Sequence, residues 1–136
     1  MALVLLCALQ MAPEKILILE DDPDVARVFQ VALSLDGNDV TVCQTFEQAR
    51  EHLRHEQPDA VVTDVRVGEY NGLQLALLFR RHSPDGRVVV VTGYDDAVIR
   101  RDVGDLHGEF LLKPVDITDL RNAVYAGERP TANYLR

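Results

Sequence analysis

KILILEDDPD, Lys15 to Asp24, joins four consecutive apolar residues to four carboxylates with one proline among them. The apolar run reads as a short strand buried on both faces, the pattern of a parallel sheet covered by helices. Negative charge crowded at the end of such a strand needs a reason. Asp22-Pro23-Asp24 supplies a local one: Asp22 can cap a helix, Pro23 suits its first position, and Asp24 faces the positive end of its dipole. If Asp22 is occupied in that way, Glu20 and Asp21 are left as the pair facing outward from the strand end. The register that pairs Asp21 with Asp22 stays open.

Working outward, two periods alternate. Val25, Val28, Phe29, Ala32 and Leu33 predict an amphipathic helix, broken at Asp36-Gly37-Asn38. DVTVC sets Val40 and Val42 on one face, as in an edge strand. Phe46, Ala49 and Leu53 predict a second helix, with Thr45 as its cap. DAVVTD is a third strand and NGLQLALLFRRH a third helix. RVVVVT is a fourth strand, rich in β-branched residues. Asp95 to Gly104 carries a thin helical stripe. EFLLKP is a fifth strand, and Asp116 to Ala126 a last helix with Ile117, Leu120 and Val124 inward. Five strand–helix units imply an α/β fold: one doubly wound, flavodoxin-like parallel sheet with helices on both faces, in strand order 2-1-3-4-5.

The 136 residues suit one domain, expected over residues 14–127 with a tail over 128–136. An apolar share of 47% beside 26% charged residues reads as soluble and globular. The net charge is −8, and the twelve arginines and two lysines are scattered. That balance disfavours nucleic acid and anionic membrane as partners, which need a clustered basic face. Cys7 and Cys43 do not make a disulfide framework, in keeping with a reducing cytoplasm. Residues 1–13, apolar without a leading Lys or Arg, are too few to span a bilayer, which takes about 20 residues as a helix. They are expected to be a poorly ordered extension or a misassigned start, with Met11 as the natural one, rather than a membrane anchor or packing helix.

In an open parallel sheet the site lies beyond the carboxyl ends of the strands, at the switch point. Glu20-Asp21-Asp22, Asp64, Thr92 and Lys113-Pro114 stand at those ends. Carboxylates about 4–5 Å apart repel by several kcal/mol at an effective dielectric near 20, and such a cluster persists by protonating or by binding a cation. An all-oxygen, shallow rim suits Mg²⁺.

With these pieces in place, the chain resembles the receiver domain of two-component response regulators from about Lys15 to Ala126. ILILEDDPD, VVTDVRVGEYNGLQL, VVVVTGY and FLLKPVDITDL carry the resemblance, each after its own strand and in order. It implies that Asp64 accepts a phosphoryl group from the phosphohistidine of a sensor histidine kinase or histidine phosphotransfer protein. It further implies that Asp21 and Asp64 ligate Mg²⁺ directly, that Glu20 acts through water, and that the backbone carbonyl of Arg66 adds a ligand. Lys113, aimed by a cis peptide to Pro114, would pair with the acceptor and then with the phosphoryl group. Thr92 matches the switch hydroxyl, and Phe110 an aromatic whose rotamer follows it. Such a domain catalyses its own phosphotransfer and autodephosphorylation, and turns over no small molecule independently. Val67-Gly68 stands where many relatives have Met-Pro, which predicts a looser loop. Arg66 and Tyr94 flank the acceptor and the switch residue, where they can tune the acyl-phosphate lifetime.

Rival readings fit less well. An aspartate-dependent phosphatase would use Asp22-Pro23-Asp24 as its D-x-D motif, but Ala26 stands where Thr or Val is needed. A degenerate receiver acting only as a binding module is disfavoured by the intact set of site residues. A flavin-binding domain needs a hydroxyl-rich cradle for an anionic phosphate, not an acidic loop.

Overall fold

The apolar run forms β1 (Lys15–Leu19), buried from Ile16 onward. The computed structural model describes residues 13–126. The expectations for the extension over 1–13, all but Pro13, and for the tail over 128–136 lie outside the described residues, as does Cys7. After β1 come α1 (Pro23–Leu35), β2 (Asp39–Cys43), α2 (Phe46–His55) and β3 (Ala60–Asp64). A small hairpin, β4 (Arg66–Val67) and β5 (Tyr70–Asn71), leads into α3 (Gly72–His82). The chain continues through β6 (Arg87–Thr92), α4 (Ala97–Asp105), β7 (Glu109–Leu112) and α5 (Ile117–Tyr125).

The main sheet is five-stranded, in order β2-β1-β3-β6-β7, and every pairing in it is parallel. With the hairpin set aside, this is the doubly wound order that the alternation of periods predicts. Parallel strands alternate their side chains between two covered faces. Leu17 and Leu19 of β1, Val61 of β3 and Val88 and Val90 of β6 join one core with Ala49 of α2, Phe79 of α3 and Val103 of α4. Ile16, Ile18, Val62, Val89 and Val91 point the other way and pack on Phe29 and Leu33 of α1 and Leu120 and Val124 of α5.

The helix starts follow their caps. Asp22 Oδ1 accepts from the Asp24 and Val25 amides at 2.9 and 3.4 Å, with Pro23 opening the helix. Thr45 accepts from the Gln48 amide at 3.2 Å, and Asn71, Asp96 and Asp116 cap α3, α4 and α5 in the same manner. One inward residue of α1 is corrected: Val28 is 52% exposed, and Ala26 takes the buried place instead. The helix turns about 100° per residue, so Val28 lies about 120° around from the middle of a stripe centred on Phe29 and Leu33, whereas Ala26 lies about 40° from it.

Candidate functional site

Each segment of the site is fixed by backbone bonds before any side chain acts. The Glu20 amide donates to the Cys43 carbonyl at 3.1 Å, which extends β1 by one residue beside β2. The Lys113 amide donates to the Thr92 carbonyl at 2.8 Å and holds the end of β7 against β6. The Lys113–Pro114 peptide is cis, as expected. Behind Asp64 the chain turns tightly into α3: the Gly72 amide donates to the Val65 carbonyl at 2.6 Å. A Cβ on Gly72 would lie 1.7 Å from the Asp64 carbonyl oxygen, so only glycine admits this approach.

The side chains converge at the strand ends. One carboxylate oxygen from each of Glu20, Asp21 and Asp64 lies within 4.8 Å of the others. Lys113 Nζ bridges two of them, 2.7 Å from Glu20 Oε1 and 2.9 Å from Asp64 Oδ2. The Asp22 amide donates to the second oxygen of Glu20 at 3.1 Å. Glu20 is only 1% exposed, whereas Asp21 is open to solvent and Asp64 lies between. Burial pushes the Glu20 carboxyl above its ordinary range, although Lys113 and the Asp22 amide pull it down. Burial works to lower Lys113, but its bonds to Glu20 and Asp64 outweigh that and hold the ammonium above its ordinary value.

Thr92 is buried, and its hydroxyl accepts from the Tyr94 amide at 3.2 Å. The Arg66 guanidinium lies 4.5 Å from the centre of the exposed Tyr94 ring, joining the loops that follow β3 and β6. The Arg66 amide donates to Asp64 Oδ1 at 3.4 Å. Phe110 is half-buried, with the Arg100 guanidinium 4.3 Å over its ring, and Arg100 in turn pairs with Asp95 at 2.6 Å. Asp22 serves the helix cap.

The segment around Val67-Gly68 folds as the β4–β5 hairpin. Val67 is buried, Arg66 and Val67 pair with Asn71 and Tyr70, and Gly68 takes φ +60° in the turn between them. The Gly68 amide donates to Asp21 Oδ2 at 3.4 Å. Sequence reasoning missed Thr63, whose hydroxyl donates to the Asp64 carbonyl at 2.9 Å, and missed the close approach at Gly72. The Asn71-Gly72 pair was the available signal for that tight turn.

Residues 16–125 match the family described as the response regulator receiver domain. The chain belongs to that family. It is 32% identical over 117 residues to the response regulator protein PilR of Pseudomonas aeruginosa, covering 84% of this chain and 26% of PilR. It is 28% identical over 115 residues to the transcriptional regulatory protein KdpE of Staphylococcus aureus, covering 85% of this chain and 50% of KdpE. The chain thus spans a quarter to a half of the length of these relatives. The fold is shared with a crystal structure of a CheY-like receiver domain protein from Methanospirillum hungatei. That match has a TM-score of 0.77 at 19% identity, and covers 88% of this chain and 99% of that one.

Proposed function

We propose that residues 14–127 form a phosphoacceptor unit that takes a phosphoryl group onto Asp64 from a phosphohistidine. The donor would be a sensor histidine kinase or a histidine phosphotransfer protein, in the cytoplasm where such donors present their histidines. The observation that carries this reading is the single ammonium of Lys113 held between Glu20 and Asp64, beside a third carboxylate.

The donor set fits Mg²⁺: all oxygen, partly open, with more negative charge than one lysine offsets. Asp21, Asp64 and the Arg66 carbonyl would hold the ion, with Glu20 behind them through water. When bound, Mg²⁺ neutralises phosphoryl oxygens as charge moves between donor and acceptor. The remaining work falls to the chain. A carboxylate oxygen of Asp64 attacks phosphorus in line; the O–P bond forms as the P–N bond breaks, and the electron pair returns to the imidazole nitrogen. Lys113 pairs with one carboxylate oxygen of Asp64, and its flexible stem would let it follow the negative charge onto the phosphoryl group. Glu20 has both oxygens engaged, which supports a role in holding Lys113 and outer water rather than the ion itself.

Thr92 is the candidate switch. Turning its hydroxyl toward the phosphoryl group would release the Tyr94 amide and shift the loop after β6, with Phe110 and the α4–β7 face following. That face, with Val98 and Leu112 exposed, and α1, with Val28, Val31 and Leu35 exposed, are the proposed partner surfaces. Among the described residues no helix is long and apolar enough to cross a membrane.

The test is incubation with a small acyl-phosphate donor and Mg²⁺, read by intact mass. One phosphoryl group should be added, and prior chelation or Asp64→Asn should each abolish it. Uptake undiminished in Asp64→Asn would overturn the assignment.

A further inference from the structure

The hairpin that follows the acceptor has only two ladder pairs, Arg66 with Asn71 and Val67 with Tyr70. A ribbon of that size does not hold its own shape in water. Two side chains on one of its faces attach it to the body of the domain. Val67 enters the core shared by α2, α3 and α4. Tyr70, although 44% exposed, lies flat on Phe46, with ring centres 4.8 Å apart and planes 10° from parallel.

Phe46 is a rigid anchor. It is the first residue of α2, directly after the Thr45 cap, and is itself buried in the core. The interaction of its neighbour Glu47 with the Tyr70 hydroxyl holds that carboxylate below its ordinary range and pushes the phenol up. In the turn that the Val67–Tyr70 pair closes, the Gly68 amide reaches Asp21 Oδ2 at 3.4 Å. Asp21 is the solvent-exposed member of the three-carboxylate cluster and has the least packing around it to fix its position. The hairpin turn is therefore its support, and the turn in turn depends on the Tyr70 ring.

We propose that Tyr70 is a positioning residue for the divalent-cation site, acting through its stack on Phe46 to hold the Gly68 turn against Asp21. This inference rests on the Mg²⁺ reading above. It makes α2, which contributes no residue to the acidic cluster, part of the support of that cluster. A cation entering a site whose hairpin is already fixed does not have to order it on binding, and affinity rises accordingly.

The test is Mg²⁺ titration of the full chain, followed by backbone amide NMR, in wild type, Tyr70→Ala, Tyr70→Phe and Leu77→Ala. Leu77 is an exposed apolar residue on α3 and controls for surface truncation. Tyr70→Ala is expected to weaken Mg²⁺ by about three- to tenfold, the worth of one aromatic stack. Tyr70→Phe keeps the ring and is expected to stay within about twofold of wild type, as is Leu77→Ala. Amide hydrogen exchange over residues 66–71 in Mg²⁺-free protein should rise in Tyr70→Ala and not in Tyr70→Phe. Wild-type binding with an unchanged constant in Tyr70→Ala would overturn this inference alone. Equal weakening in Tyr70→Phe would transfer the effect to the hydroxyl and Glu47, and also overturn it. No Mg²⁺ uptake by the wild-type chain would remove the metal reading and this inference with it.

Discussion

Replacing Lys113 with methionine keeps the bulk of the stem and removes the ammonium that bridges Glu20 and Asp64. At an effective dielectric near 20, its contacts of 2.7 Å to Glu20 and 2.9 Å to Asp64 are each worth about 6 kcal/mol before desolvation is subtracted. Without it the carboxylates face one another inside 4.8 Å, where each pair repels by about 3.5 kcal/mol. Loss of one partner from a largely buried pair typically costs 3–5 kcal/mol. We therefore expect Lys113→Met to lose about 3 kcal/mol near neutral pH in metal-free protein, measured by urea unfolding with chelator present.

The pH dependence has a definite sign. Burial holds the Glu20 carboxyl above its unfolded value of 4.5, so across that window the folded chain carries a proton that the unfolded chain has released. The contribution of this group to stability therefore falls as pH rises from 4.5 through the folded pKa. Removing Lys113 takes away an influence that lowers that pKa, so the window extends upward. The deficit of the variant should be smallest in acid and largest near neutrality. Lys113 itself is raised above 10.5, so its own contribution is full below that value and lost only as pH rises through the folded pKa. It does not vary in the range tested. Mg²⁺ should restore part of the loss, and more in the variant than in wild type. A deficit under about 1 kcal/mol near neutral pH, or one that does not shrink toward pH ~4.5, would refute the reasoning.

Gly72→Ala places a Cβ against the Asp64 carbonyl and should cost at least about 2 kcal/mol, together with a matching fall in phosphoryl uptake; unfolding curves and intact mass check both. Asp22→Ala should cost about 1 kcal/mol by loss of the α1 cap while leaving Mg²⁺ affinity in place, which calorimetry can separate. The double variant Arg66→Asn, Tyr94→Ala removes the stacked pair beside the acceptor. Its acyl phosphate should hydrolyse up to about fivefold faster, the worth of ~1 kcal/mol of lost cover, in a decay assay by mass.

The parts of the site that were legible in the amino-acid sequence are those that end strands. A run such as KILIL or RVVVVT marks its own terminus, and the doubly wound order carries Glu20, Asp21, Asp64, Thr92 and Lys113 to one rim. The cap at Asp22 was legible because Asp-Pro-Asp has its own helix-starting chemistry, and the structure gives Asp22 that work. The hairpin at Arg66–Asn71 was not legible, since two-residue strands are too short to show a period. The Tyr70–Phe46 stack joins residues distant in the chain, with no local pattern to announce it. Val28 misled for a different reason: hydrophobicity and spacing admit it to the α1 stripe, and only the positions of β1 and α5 decide where that stripe is centred.

The central claim is that Asp64, and no other carboxylate of the cluster, carries the phosphoryl group. Borohydride reduction of the phosphorylated chain, followed by peptide mapping, converts an acyl-phosphorylated aspartate to homoserine and so marks the acceptor. We expect homoserine at position 64, dependent on Mg²⁺. Homoserine at position 21 or 22, or at no position after verified phosphoryl uptake, would contradict the account.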